Sequence, residues 1–393
     1  APCGPTAGGV LFTVNLAAVG GDGAGDITLT DVRIRDCANQ PLPGQAGAPA
    51  QLVVSHSPPP AISDLASAQV TGGNGPGERT GITLTWTAPA PGPVALYRAP
   101  FGTYPEFDDG GGLAPDSTVA PGATWTLVSA NAVPGLVDVP PARGSWHYVA
   151  FLTDSCGNTS SVSNMSRGSL DYHLGDVSDG AVRGQGDNRV ALEDVSLLGA
   201  HYGISGATLV SDSVTYLDVG PTVNGLPTGR PATDDQINFE DLMVFATNVH
   251  VVSSPAASAR PAKPGAYGNG EAFDLEAPTL VSTGDEIAAT LGLSASGAMQ
   301  GFSVQLAWDG GVLQPLAVAG AGLLEGQGGV VLSPGRGTVD GALLGRRGTG
   351  ITGSGAVATF RFRVLRDGDP ALRVSRVLAR DPSNRPLDPE RLT

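Results

Sequence analysis

Asp176-Val177-Ser178, leading to Asp187-Asn188-Arg189-Val190-Ala191-Leu192-Glu193-Asp194, has a counterpart in Asp218-Val219-Gly220, leading to Asp234-Asp235-Gln236-Ile237-Asn238-Phe239-Glu240-Asp241. Each stretch runs into an amphipathic pattern: Val195, Leu197, Leu198 and Tyr202 follow the first, and Leu242, Met243, Phe245, Ala246 and Val249 follow the second. That is the spacing of a short helix with one apolar stripe. Between Asp176 and Asp241 there are eleven acidic residues against three arginines, Arg183, Arg189 and Arg230. Such crowding repels itself unless a cation neutralises it. A solvated acidic loop does not predict the same order twice. A hard cation such as calcium takes about six to eight oxygen ligands in a flexible shell, and a short acidic loop entering a helix supplies them.

Read this way, Val190 and Ile237 point inward and their backbones pair the two loops. Ala191 and Asn238 take the position that often ligates through water. Asp194 and Asp241 close each loop from the first helical turn, where a carboxylate also faces the positive end of the helix dipole. Packing the two stripes together requires both loops to be ordered, so metal and folding are coupled.

The surroundings are of another kind. With 57 Gly, 32 Pro and 15% charged residues over 393 positions, and with Val, Thr and Leu in short runs, the chain reads as many short strands joined by turns. Its length allows two to four domains. A net charge of -15, with Lys263 the only lysine, leaves no basic face for nucleic acid. No apolar run reaches the roughly 20 residues of a membrane span, and no signal peptide opens the chain, so Ala1 reads as the start of a mature or trimmed protein. Cys3 and Cys37 flank two adjacent expected strands and form a candidate disulfide; three separate buried thiols are the alternative. Cys156 is the odd one in the paired reading.

The two ends repeat one another. Gly9-Val10-Leu11-Phe12-Thr13-Val14-Asn15-Leu16 matches Gly355-Ala356-Val357-Ala358-Thr359-Phe360-Arg361-Phe362 in pattern, and Ile34-Arg35-Asp36-Cys37-Ala38-Asn39-Gln40-Pro41-Leu42 matches Ala379-Arg380-Asp381-Pro382-Ser383-Asn384-Arg385-Pro386-Leu387. The C-terminal copy is preceded by a full set of strands from about Phe273 but reaches Thr393 before a last one. The N-terminal copy lacks the earlier strands yet continues into Ala50-Gln51-Leu52-Val53-Val54, a good closing strand.

Three resemblances follow from these residues. Trp86 in an early strand, Tyr148 in a late one and the turn Asp154-Ser155-Cys156-Gly157-Asn158 resemble a fibronectin type III domain over 57–168. The loop-plus-helix pair at 169–252 resembles a dockerin, the calcium-binding module of bacterial extracellular assemblies. This resemblance implies ligands at Asp176, Ser178, Asp187, Ala191 and Asp194 in the first loop, with Asp179 an alternative to Ser178. In the second loop it implies Asp218, Gly220, Asp234, Asn238 and Asp241. Both loops depart from the pattern through insertions at 179–186 and 221–233, and Ala191 offers no side-chain donor. Finally, Gly301-Phe302-Ser303-Val304-Gln305-Leu306-Ala307-Trp308-Asp309, Val312-Leu313 and Gly353-Ser354-Gly355-Ala356-Val357-Ala358-Thr359-Phe360 are similar to cohesin, the family that binds dockerins. That similarity covers 273–393, with only the closing strands at 1–56. A Pro/Ala/Ser-rich stretch, 253–272, suits a semi-stiff linker.

The expected fold is therefore mainly β: cohesin-like and fibronectin type III-like β-sandwiches with a small α, calcium-binding, dockerin-like unit. No catalytic constellation accompanies it. The histidines, His56, His147, His173, His201 and His250, never fall at zinc-helix spacing, and His201 and His250 sit where helices end. Carboxylates coordinated to calcium are in the wrong state for a general acid. Tyr97, Phe101, Tyr104 and Phe107 form the sole aromatic cluster that offers a face for a polysaccharide, with loop packing as the plainer reading. The reading is a secreted or cell-surface structural protein whose copies join head to tail, the N-terminal strands of one completing the C-terminal sandwich of the next. Two alternatives stay open: a fragment of a longer repeat protein, and a scaffold or adhesin that binds dockerin- or cohesin-bearing proteins or polysaccharide.

Overall fold

The computed structural model describes residues 8–17, 19–72, 79–102, 124–249, 271–335, 337–345 and 348–388. The chain is mainly β, in antiparallel sheets, with one helical module. The first unit is two small ribbons: β1 (Gly23–Ile27), β2 (Ile34–Arg35), β3 (Pro41–Leu42) and β4 (Ala50–Val54), paired β1 with β4 and β2 with β3. Gly9 to Leu16, which alternates like a strand in sequence, belongs to none. A strand needs a neighbour for its backbone groups, and among the described residues this stretch has none.

The second unit contains β5 (Ala66–Gln69), β6 (Ile82–Thr85), β7 (Val94–Pro100), β8 (Thr126–Ser129), β9 (Val137–Asp138), β10 (Ser145–Leu152) and β11 (Ser169–Leu170). They form two sheets, β5-β6-β9 and β11-β10-β7-β8. Between the sheets lie Ile82, Leu84, Trp86, Leu96, Tyr148 and Leu152, all buried. The Tyr148 hydroxyl donates to Asp138, which also pairs with Arg98 at 2.7 Å, so the buried carboxylate is satisfied. Leu170 of β11 is buried in the core of the helical module as well as paired to this sheet, so the two units meet without a spacer.

The module comprises α1 (Leu192–Ala200), α2 (Ala207–Ser211) and α3 (Phe239–Asn248). The apolar stripes read from the sequence are its core: Val195 and Leu198 from α1 meet Leu242, Met243, Phe245 and Ala246 from α3. The last unit is a sandwich of β12 (Ala272–Glu276), β13 (Glu286–Ser296), β14 (Gly301–Ala307), β15 (Leu313–Gly320), β16 (Gly329–Gly335), β17 (Thr338–Leu343), β18 (Thr352–Val364) and β19 (Arg373–Arg380), with the short α4 (Gly322–Glu325) beside β18. The sheet orders are β12-β13-β18-β15 and β16-β17-β14-β19. Alternation along β14 puts Phe302, Val304 and Leu306 inside, and β18 adds Val357, Phe360 and Phe362.

The terminal repeat is structural as well as sequential. In the first unit Asp36 Oδ1 accepts from the amides of Ala38 and Gln40, and Asn39 takes a left-handed φ of 62°. In the last unit Asp381 Oδ1 accepts from Ser383 and Arg385, and Asn384 has φ 61°. An asparagine tolerates that conformation where most side chains do not. The environments differ completely. Val357, Phe360 and Phe362 are at most 1% exposed, whereas the matching Leu11, Val14 and Leu16 are 88%, 63% and 59% exposed.

Candidate metal centre

The two loops are built alike. Asp194, three residues into the first loop's helix cap, accepts from the Val177 and Ser178 amides with Oδ1 and from Ala191 with Oδ2. Asp241 does the same for Val219, Gly220 and Asn238, each at 2.8 Å. Both carboxylates thus tie the start of a loop to the start of its helix, satisfying amides that the helix leaves unpaired. Asn188 and Asp235 stand at the same bend, with φ of 64° and 59°. Asn238 caps α3 by accepting from Glu240, while Ala191, at the equivalent cap, has no side-chain oxygen to offer.

The pairing of Val190 with Ile237 expected from sequence is not what forms. Val190 bridges to Val249, and Ile237 exchanges backbone hydrogen bonds with Ile204 and Gly203. Each loop is therefore stitched to the chain that leaves the other loop's helix. The swap follows from packing the two helical stripes face to face, which brings each helix C-terminus beside the opposite loop.

The loops diverge at their first carboxylate. Asp176 is fully buried; its oxygens accept from Asp187 and Asn188, and the Arg143 guanidinium pairs with Oδ2 and also donates to the Asp176 carbonyl. Burial pushes this carboxyl up, and the Arg143 charge pulls it back toward the ionised form. Asp218 is buried to 2% exposure, and its Oδ1 has no hydrogen-bond partner. Burial, followed by the charge of Asp234, raises its carboxyl to about 7. Asp241 is also driven up, by burial and then by the charge of Asp218. Among the described residues no arginine or histidine pairs with Asp218, Asp234 or Asp241, whereas Asp176 of the first loop is paired with Arg143.

The other expected ligands hydrogen-bond within their own loops. Asp179 is exposed and folds back to accept from Ala181 and Val182, so it serves its own turn. Ser178 accepts from Gly180. Asp187 caps the bend at Arg189, and Asp234 accepts from Gln236 and the Asn238 amide group. Gly220 can offer only backbone, because a Cβ there would lie 2.7–2.9 Å from the Glu240 and Asp241 backbone. Gly220→Ala is accordingly expected to cost about 1–3 kcal/mol by pushing the loop off α3, read as a lower unfolding midpoint. Among the described residues no three side chains of His, Cys, Asp and Glu converge into a finished metal cage. The orphaned Asp218 oxygen, with the charges of Asp234 and Asp241 beside it, is the one unsatisfied buried oxygen of the second loop and is of the kind a hard cation takes, while Asp234, Asp241 and Asn238 also accept from loop amides. In the first loop the matching Asp176 is instead paired with Arg143.

Arg143 had no signal of its own in the sequence; it lies 33 residues before its partner, in another unit. The deficit at Ala191 was the visible trace. The module is also fixed to the last unit. Tyr202 donates to Asp340 at 2.7 Å, Arg380 pairs with Glu240 at 2.8 Å, and the Gly345 amide bonds to the Ala246 carbonyl. Ala342 of β17 belongs to the module's core. Arg230, from the second loop's insertion, lies over the Phe101 ring of the second unit at 4.2 Å.

Cys37 is disulfide-bonded and Cys156 is free and exposed. Cys3, His250, Tyr104, Phe107, Lys263 and nearly all of the linker lie outside the described residues. His201 caps the end of α1, its Nδ1 at 3.1 Å from the Leu197 carbonyl. Among the described residues no helix is long and apolar enough to cross a membrane.

No family model matches the chain, and no curated protein does. Solved structures with some likeness include the sixth cohesin of scaffoldin B from Acetivibrio cellulolyticus in complex with the Cel5 dockerin, 13% identical with a TM-score of 0.24, covering 29% of this chain and 90% of that one. A type II cohesin domain from the cellulosome of the same organism is 14% identical, TM-score 0.23, over 30% of this chain and 87% of its own. A non-cellulosomal cohesin from the archaeon Archaeoglobus fulgidus is 17% identical, TM-score 0.23, over 30% and 83%. Likenesses this weak assign neither partner nor activity.

Proposed function

We propose that this chain is an extracellular structural subunit whose copies associate head to tail, with calcium in the second acidic loop stiffening the joint between its sandwiches. The observation that carries the reading is the unequal burial of the two matching ends. Leu11, Phe12, Val14 and Leu16 are 59–88% exposed, although their counterparts in β18 form a sandwich interior, and Leu29 of the same unit is 57% exposed. An apolar face of this extent marks an interaction surface. At the other end β12 is an outer strand of its sheet, and its inward Phe273 and Leu275 are only partly buried. A strand added there covers both and satisfies the edge. The occupant in this reading is β4 of a second copy, which follows the exposed repeat as a strand would follow β19. A contact between unlike ends propagates into a filament unless it closes.

Capture of a separate dockerin-bearing protein is less well supported. The outer face of the β16-β17-β14-β19 sheet is covered by the chain's own helices, through Tyr202, Met243 and Glu240.

The exposed residues make a clean test. Phe12→Asp alters a side chain that is 69% exposed within its own chain, so the single-chain unfolding free energy should hold to within about 0.5 kcal/mol. Sedimentation should nonetheless show loss of the assembled species formed by the parent protein. Assembly that survives Phe12→Asp and Leu29→Asp together would sink the docking surface named here.

A further inference from the structure

We infer that the two loops are not equivalent: the first is locked by the Arg143 guanidinium in the place a metal ion would take, so the chain binds one calcium, in the second loop. The count rests on the calcium reading above; the arginine lock does not.

Arg143 meets Asp176 in a two-point contact, to Oδ2 and to the carbonyl of the same residue. Its outer side stacks on Tyr172, with the guanidinium carbon 3.9 Å from the ring centroid. Arginine is suited to such a contact because its planar fork donates in two directions while its face lies on an aromatic ring. The room for it is specific. A Cβ on Gly186 would fall 2.1 Å from Asp176 Oδ2 and 2.4 Å from the arginine, so the insertion must pass this point as glycine. Ala191 lacks a side-chain donor, Asp179 is exposed and accepts from Ala181 and Val182, and the Asp176 oxygens accept from Asp187, Asn188 and Arg143. At the equivalent point of the second loop no arginine among the described residues reaches Asp218, and its buried Oδ1 is unpartnered there. One loop thus has its positive charge built in, borrowed from the second unit, and the other must find it in solution.

The same contact gives Arg143 a structural consequence. It comes from the turn before β10 and clamps the start of the first loop, so the second unit and the helical module are joined by a pair whose carboxylate is wholly buried and whose arginine is 23% exposed. This joint is independent of calcium, whereas the second loop is not.

Calcium counted by native mass spectrometry and by calorimetric titration of the full chain tests the inference. The expected result is one ion per chain, kept in Asp187→Asn and lost in Asp234→Asn. Two ions, one of them lost in Asp187→Asn, would overturn it. No ion at all would remove the calcium reading of the second loop, and the lock would then be judged on its own variant. Arg143→Met should lower the unfolding midpoint by about 10 °C, equally in calcium and in chelator, since one partner of a buried pair is lost. Arg143→Lys should recover part of that shift. An unchanged midpoint in Arg143→Met would refute the lock whatever the calcium count.

Discussion

Asp218→Asn is expected to raise the unfolding midpoint in chelator and to abolish the rise that calcium produces in the parent protein. Asp218 is buried against Asp234 and Asp241, and one oxygen makes no hydrogen bond. Its carboxyl is raised to about 7 by burial first and neighbouring charge second. A raised carboxylate keeps its proton in the folded chain at a pH where the unfolded chain has lost it. Without metal, stability therefore falls as pH rises from about 4 to 7 and stays low above that. The amide has no charge to bury, so the variant should be flatter over that window and gain about 2–4 kcal/mol at neutral pH, after allowance for solvent in the loop. In calcium the order reverses: the parent gains by mass action, RT ln(1 + [L]/Kd), and the variant does not. Parallel pH profiles in chelator would contradict this account of the loop.

The second large effect belongs to the seam between the helical module and the last sandwich. Burial raises Asp340 to about 6, with bonds from Ser303 and Tyr202 holding it down. Below about pH 4 both folded and unfolded chains carry the proton; between 4 and 6 only the folded chain does. This residue's contribution thus declines as pH rises through that window and levels off above it. A displacement of about two pH units corresponds to about 3 kcal/mol. Asp340→Asn keeps an oxygen for the Tyr202 hydroxyl and removes the charge, so it should remove the slope and gain up to about 3 kcal/mol at pH 7. Measured in saturating calcium, where the second loop is held constant, the difference between parent and variant isolates Asp340. An Asn variant that loses stability at pH 7 would mean that the charge itself is needed at the seam.

Much of this was legible in the sequence. The helical stripes at Val195–Leu198 and Leu242–Phe245, and the alternation of Phe302, Val304 and Leu306, are local patterns, and a local pattern sets which face is buried. The repeat of the Asp36 turn at Asp381 was equally visible, because both turns rest on an Asp oxygen and a left-handed Asn within five residues. What sequence did not reveal depends on distant partners. Val190 pairs with Val249, after the other helix, and Arg143 reaches Asp176 from a neighbouring unit. Gly9 to Leu16 failed in the opposite sense: its alternation is that of a strand, but alternation cannot supply the neighbour that a strand requires. The same shortage of a neighbour among the described residues is the observation on which the proposed association rests.

Hydrogen exchange at the two ends, followed as protein concentration rises in calcium, tests that association most directly. Docking of one copy's first unit on another's last should slow exchange together at the outward amides of Ala272–Glu276 and along Val10 to Leu16 and Ala50–Val54, in step with growth in particle mass. Fast exchange at both ends at every concentration, from a particle that keeps the mass of a single chain, would contradict head-to-tail assembly.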